Sequence, residues 1–401
     1  MDIVIISEFC EDFSESDNDR FLYIAKMLTD KHNVEIITSN FRHTTKRHRD
    51  APEHTQAFSL TFIKEPGYPG NICLRRFYSH FIWGRNVLAY LKKRKKPDVV
   101  YCAVPSLTAA GNAARYCNKN DIRFIIDVQD LWPEAFRMVF NIPIISSLVF
   151  FPFKMMENEI YRRADEICAV SQTYADRAMK VNKKCENASV VFLGTDLEKF
   201  HENVEKCRDC NKPALPYKNK LWLGYCGSLS DSYDIKTVIE ALAILQSGSV
   251  KVPKFIVIGD GYKRESLEQY AKEKNVDAFF TGRIPYSRVC WILSQCDMVV
   301  NPIVDHSAAS IINKHADYAA CGRPVLNTQK SEEYRKIIDH YCMGFNCDNE
   351  DPNDLADKIF RLIIHDEVRK TMGRNAYKCS EELFDRKKSY LKLYASITGG
   401  V

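Results

Sequence analysis

The residues with the clearest chemical use are Asn313, Lys314 and Asp317. They open a helical stretch that follows the strand-like run Met298–Asn301. A small loop, Asp305-His306-Ser307-Ala308-Ala309-Ser310, comes between. A loop opening a helix presents free N–H groups and the positive end of the helix dipole, which suits a diphosphate at Ser310 and beyond. Lys314 adds a cation. Asp317, four residues after Asn313, falls on the same helical face and can accept hydrogen bonds from a sugar or ribose hydroxyl. Gly322 then stops the helix ahead of the buried run Pro324–Leu326. A plain helix start explains the loop and Gly322. It does not explain the grouping of Asn313, Lys314 and Asp317.

A second group follows the strand-like run Phe124–Asp127, in Gln129-Asp130-Leu131-Trp132-Pro133. Gln129 cannot take a proton. Asp130 can accept one from an acceptor hydroxyl, or orient that hydroxyl. Capping a helix that starts at Pro133 is the equal alternative for Asp130. Asp17-Asn18-Asp19 has the spacing of a metal-binding pair, but it precedes the first helix and reads as its cap. No metal site is expected. The one CxxC, Cys207 to Cys210, reads as surface linker, with no second pair at zinc spacing. Neither a dinucleotide fingerprint nor a phosphate-binding P-loop occurs, and hydrolase or zinc-protease motifs are also missing.

These residues need a scaffold that brings strand ends together. The chain has 401 residues, 45% of them hydrophobic and 27% charged, which excludes disorder and suits two domains. Short apolar runs alternate with helical stretches throughout, which implies parallel sheets with helices on both faces. The expected organisation is an N-terminal domain over 1–202, a linker over 203–220, a second domain over 221–383, and a C-terminal helix within 384–401 packing back on the first domain. The fold class is α/β, two Rossmann-like doubly wound domains facing a cleft. Fifteen cysteines, an odd number scattered through these elements, look like reduced buried thiols. The N-terminus lacks the features of a signal peptide, and no uncharged run is long enough to span a membrane.

The stretch Asn313 to Leu326 resembles the donor-site signature of the GT-B glycosyltransferases. The likeness is in particular to the large retaining family, group 1 and family 4-like, that includes bacterial capsule and O-antigen transferases. Other segments fit in order. Tyr225-Cys226-Gly227-Ser228-Leu229 resembles the first strand and glycine turn of the donor domain. Phe255 to Gly261 resembles the strand ending in Gly259-Asp260-Gly261. Phe280 to Pro285, with Arg283 and Ile284, resembles the turn bracketing the nucleobase. Arg163 to Ser171 and Val191 to Phe200 resemble the segments that close the first domain.

The resemblance implies metal-independent transfer from a nucleotide diphosphate sugar, a co-substrate, with no other cofactor. Gly227, Ser228, Gly259, Arg283, Ile284, Ser310, Asn313, Lys314 and Asp317 would form the donor side, and Gln129, Asp130 and Trp132 the acceptor side. Asp130 and Asp317 are the catalytic candidates. Two departures stand out. Ala309 occupies a usual acidic position and Ser228 a usual arginine, so Lys314 and Arg283 are left to meet the phosphates. The expected transferred group is a hexose or N-acetylhexosamine, and the expected acceptor a lipid-linked glycan. Alternatives of other classes are a GT-B sugar-nucleotide epimerase and a non-catalytic sugar-nucleotide-binding subunit.

From Arg42 to Lys96 thirteen basic residues face three acidic ones. Leu74, Phe77, Tyr78, Phe81, Leu88 and Leu91 recur at helical spacing and are expected on one apolar face. Met138 to Phe153 is a second apolar run. Aromatic and basic residues together suit a helix lying on an anionic membrane surface. The expected location is therefore cytoplasmic, peripheral at the inner face of the plasma membrane, over residues 74–96. A polyprenyl-linked glycan is the expected acceptor. No nucleic-acid motif accompanies the basic stripe, so no nucleic-acid partner is expected.

Overall fold

The computed structural model describes residues 1–11, 18–50, 57–70, 73–131, 143–208, 215–216, 218–248, 250–305 and 311–400. The chain forms two compact units, Met1–Val191 with Tyr390–Val401, and Phe192–Ser389.

The first unit contains β1 (Asp2–Ile6), β2 (Asn33–Ser39), the antiparallel pair β3 (Phe41–Arg42) and β4 (Arg47–His48), and β5 (Ser59–Ile63). It continues with β6 (Val99–Val104), β7 (Arg123–Val128), β8 (Glu166–Ala169) and β9 (Ser189–Val190). Seven of these make one parallel sheet in the order β5-β2-β1-β6-β7-β8-β9. Its central strands are apolar on both faces, because helices cover both; β6 is buried from end to end. The β3–β4 hairpin has no counterpart in the strand–helix pattern of the sequence. Leu393 and Ile397 of the C-terminal helix Leu391–Thr398 join the core of Ile3, Ile5, Phe21 and Leu28.

Asp19 caps the helix Arg20–Thr29, accepting from the Phe21 and Leu22 N–H groups. This meets the capping expectation for the segment, while Asp17 lies outside the described residues.

The helix Leu74–Lys93 corrects the single-face reading. Ser79, His80, Trp83, Gly84, Val87 and Leu91 are its buried side. Gly84 lets it press against the next helix, since a Cβ there would meet the Ala109 backbone nitrogen at 2.8 Å. Leu74, Tyr78 and Phe81 stay exposed, and Leu91 faces the core. At about 100° per residue, Leu74 and Leu91 cannot share a side across the length of this helix.

The second unit contains β10 (Trp222–Cys226), β11 (Lys254–Ile258), β12 (Ala278–Gly282), β13 (Met298–Asn301), β14 (Val325–Asn327) and β15 (Gly344–Asn346). The sheet is parallel, in the order β12-β11-β10-β13-β14-β15. Strand order reverses between β10 and β13, and in such sheets ligands bind beyond the carboxyl ends at that reversal. The helix Leu197–Lys206 falls in this unit: Leu197 and Phe200 share a core with Trp222, Val289 and Leu293. The first boundary therefore lies ahead of the expected one at 202. Cys207, at the end of that helix, is buried and not a surface linker residue, while Cys210 lies outside the described residues.

Candidate functional site

The reversal between β10 and β13 brings Gly227, Gly259 and Lys314, three of the predicted donor residues, next to one another. β10 ends in Tyr225-Cys226 and turns at Gly227. The helix Asn313–Ala320 follows β13 and grips that end. The Cys226 N–H donates to Tyr318 Oη at 2.8 Å. Lys314 Nζ lies 4.6 Å from the Tyr225 ring centre and 3.8 Å from that of Tyr233. The Tyr225 hydroxyl donates to the Ser228 carbonyl at 2.7 Å and so shapes the turn.

Lys314 is only 7% exposed, and its ammonium has no hydrogen-bond partner among the described residues. Burial lowers it to about 7, far below an ordinary lysine. The two tyrosine faces return part of that cost through cation–π attraction. The ammonium points at the glycine turn: a Cβ built on Gly227 would stand 3.0 Å from Lys314 Nζ. A buried, unanswered cation beside exposed backbone is suited to an anion.

Three glycines make the neighbouring turns. Gly227 has φ of 155° and Gly259 of 140°, and a Cβ on Gly259 would stand 1.9 Å from the Gly227 carbonyl oxygen. The Gly227 N–H donates to the Ile258 carbonyl at 2.9 Å, and the Gly259 N–H to the Gly282 carbonyl at 3.2 Å. The ends of β10, β11 and β12 are thereby laced together. Ser228 and Arg283 are exposed beside these turns, and Ile284 packs into the core next to Tyr286. Asn313 is exposed at the start of its helix. Ser310 and Ala309 lie outside the described residues.

Asp317 departs from expectation. It does not share Asn313's exposed side but is turned inward, accepting from Tyr286 Oη at 2.7 Å. The same tyrosine meets Thr195 Oγ1 at 3.1 Å. Burial pushes Asp317 up to about 6, against the hydrogen bonds from Tyr286 and Thr195 and the charge of Arg386. One turn of helix thus places Asp317 behind Lys314, in the wall.

The helix start is also held from below. Asn301, Asn327 and Asn346 end β13, β14 and β15 in matched register. Asn301 Nδ2 donates to Asn327 Oδ1 at 2.8 Å, and Asn327 Nδ2 to Asn346 Oδ1 at 3.0 Å. His315 Nε2 meets Asn301 Nδ2 at 3.1 Å, while His315 Nδ1 accepts from the Ile312 N–H at 3.1 Å. His315 stacks on Tyr334 with ring centres 3.8 Å apart. This amide row, Tyr225, Tyr233 and Tyr286 are site residues that sequence reasoning missed. The only hint was the asparagine that ends each strand.

In the first unit, Arg20 Nε and Nη2 clamp the two oxygens of Asp127 at 2.8 and 3.1 Å. Gln129 Nε2 donates to Asp127 Oδ2 at 2.9 Å, so its amide is engaged in that pair. Asp130 is half-buried and accepts from the Leu131 N–H at 2.9 Å. Trp132 and the segment that Asp130 was expected to cap lie outside the described residues. Among the described residues no group of three or more His, Cys, Asp or Glu is placed to hold a metal ion.

A parallel sheet with glycine turns and a buried lysine at its reversal is the doubly wound α/β arrangement in which ligands bind at the switch point. Residues 20–199 match the model described as Glycosyltransferase Family 4, and residues 208–379 that described as Glycosyl transferases group 1. The chain has the GT-B fold, and its two halves are each similar to one of these glycosyltransferase models. It is 23% identical over 253 residues to an uncharacterized glycosyltransferase of Methanocaldococcus jannaschii, covering 63% of this chain and 62% of that protein. The chain thus spans about three fifths of that curated relative. It is 24% identical to the capsular polysaccharide biosynthesis glycosyltransferase CapM of Staphylococcus aureus, over 73% of this chain and 74% of that protein. Among solved structures it is similar in fold to HepE of Anabaena in complex with UDP, with a TM-score of 0.72, 16% identity and full coverage of both chains.

Proposed function

We propose that this protein transfers a hexose or N-acetylhexosamine from a uridine diphosphate sugar to a polyprenyl-linked glycan, with retention, in surface polysaccharide synthesis. The observation that carries the donor half is the buried Lys314 ammonium, without a hydrogen-bond partner among the described residues and aimed at the Gly227 turn. A diphosphate there gains a cation already desolvated, together with the N–H groups of the helix start. As the sugar leaves, charge grows on the diphosphate, and Lys314 with the helix dipole stabilises it without a bound ion. Asp130 is assigned to the acceptor hydroxyl. The choice of uridine and of a polysaccharide setting rests on HepE's bound UDP and on CapM, as relatives.

Thermal shift with UDP-sugars tests the donor half, since a ligand bound only by the folded state raises its stability. Wild type should be stabilised and Lys314→Met should not; equal shifts would sink the reading. Asp130→Asn should keep the shift and lose transfer. Epimerised donor without transfer would favour the epimerase.

The acceptor half draws on the surface of the first unit. Leu74 is 87% and Phe151 60% exposed, with Tyr78, Phe81 and Met155 exposed as well. Phe77 and Phe153 bridge their two helices with ring centres 5.4 Å apart. Arg75, Arg85, Lys92, Lys93, Lys95 and Lys96 are exposed along the first of them or just beyond it. No helix among the described residues is long and apolar enough to cross a membrane. A peripheral site on the inner leaflet fits aromatic side chains flanked by cations. Each lysine contributes about 1 kcal/mol near anionic lipid. Binding to anionic vesicles should weaken with salt, and further when Lys92, Lys93, Lys95 and Lys96 become Gln. Salt-independent binding, or none, would remove the membrane from the reading.

A further inference from the structure

At the opposite end of the second sheet from Lys314 lies a cavity of about 550 Å3, lined by Asp297, Arg323, Arg369, Lys370, Arg374 and Tyr377. Asp297 immediately precedes β13, and Pro324, also in the lining, precedes β14. The cavity is therefore at the amino ends of strands whose carboxyl ends carry Asn301 and Asn327. At about 3.3 Å per residue, β13 alone sets it roughly 13 Å from the donor turns.

Its charges do not balance internally. Asp297 is answered by Lys218 Nζ at 3.0 Å and by the Trp222 N–H at 2.9 Å. Asp366, also in the lining, is answered by Arg369 and Lys370. Arg323 and Arg374 have no carboxylate partner among the described residues. Arg323 Nη2 donates to the Ser294 carbonyl, and its buried Nε has no partner among the described residues. Arg374 Nη2 donates to the Thr371 hydroxyl at 2.8 Å. Backbone approaches closely here, because Gly373 lacks the Cβ that would stand 2.5 Å from the Gly322 carbonyl oxygen.

We propose that this cavity binds a phosphate monoester, with the guanidinium groups of Arg323 and Arg374 holding its oxygens. Two guanidinium forks match the geometry and the double charge of that group. The phosphate can be carried by a soluble ester or by a lipid headgroup, and both present the same oxygens.

Calorimetric titration of the full chain with inorganic phosphate tests this. Wild type should bind phosphate alike with and without saturating UDP, and Arg323→Gln with Arg374→Gln should bind at least tenfold more weakly. Unchanged affinity in the double variant overturns the proposal, and so does loss of binding under saturating UDP, which would put the phosphate at the donor turns. If the double variant does not fold, Arg374→Gln alone, at an exposed position, should weaken phosphate at least threefold; no change overturns it equally. Vesicles containing phosphatidic acid, used with Lys92, Lys93, Lys95 and Lys96 all changed to Gln so that the basic helix does not hold the protein on them, separate the sources. Sedimentation with them that the double variant loses assigns the lipid, and phosphate binding without sedimentation assigns the soluble ester.

Discussion

The two units handle buried charge at their strand ends in opposite ways. In the first, Asp127 near the end of β7 is clamped by Arg20, and both are buried. Gln129 and Tyr390 complete the group, with Arg20 Nη1 donating to Tyr390 Oη at 3.0 Å. In the second, Lys314 is buried to a similar degree with two aromatic faces and, among the described residues, no acceptor. Pairing of the first kind serves the fold, because each charge has its counter-charge inside the protein. The second kind costs the fold stability and is useful only when an anion arrives.

The largest effect should come from breaking the satisfied pair. Arg20→Ala strands a buried carboxylate, and unfolding in denaturant should show a loss of about 3–5 kcal/mol. A loss below about 1 kcal/mol would mean that Asp127 is not held as a buried ion. Next is Lys314→Met. It should weaken UDP by about 1.5–3 kcal/mol, as expected for a hydrogen bond to a charged group, and leave stability equal or higher. Loss of stability alongside intact UDP affinity would reverse the contrast between the units.

The pH dependence sharpens it. Burial holds Lys314 at about 7, so at higher pH the free protein carries a neutral amine and must take up a proton to meet an anion. UDP affinity should therefore fall by about tenfold per pH unit above 7, a slope that Lys314→Met abolishes. A flat profile in wild type would detach the lysine from the phosphates. The smallest change should be in Asp317→Asn, which keeps an acceptor for Tyr286. The Asp317 value of about 6 lies above the unfolded carboxylate near 3.9, so its contribution to stability is present at pH 4 and lost as pH rises through 6. The variant should gain stability at pH 8 and little at pH 4. Its UDP affinity should shift less than threefold. A hundredfold fall would return Asp317 to direct contact with the donor.

Most of the scaffold was legible because parallel strands announce themselves as short apolar runs between amphipathic helices. β15 was not: three residues, Gly344–Asn346, carry too little pattern. The hairpin of β3 and β4 was missed for the same reason. The helix Leu74–Lys93 shows how a period can be right and a face wrong, since apolar residues occupy both its packed and its open side. At the site, Lys314 was readable from its place after a loop. Its aromatic box was not, because Tyr225 and Tyr233 come from the other side of the strand-order reversal. Asp317 was read as reaching outward. Only the fold reveals Tyr286 and Thr195 waiting on the inner side, and the clamp between Arg20 and Asp127 joins residues that no local pattern links.

The interlocked turns at Gly227 and Gly259 bear on how such a protein can diverge. With a Cβ at Gly259 only 1.9 Å from the neighbouring carbonyl, neither loop can take a side chain without moving a strand. A randomised library selected for nucleotide binding should therefore return glycine at both positions, whatever sugar is offered. Variation would collect instead at Ser228, Arg283 and Asn313, which are exposed around them. Adaptation to new donors is thus confined to the rim, over a base that inheritance cannot readily alter.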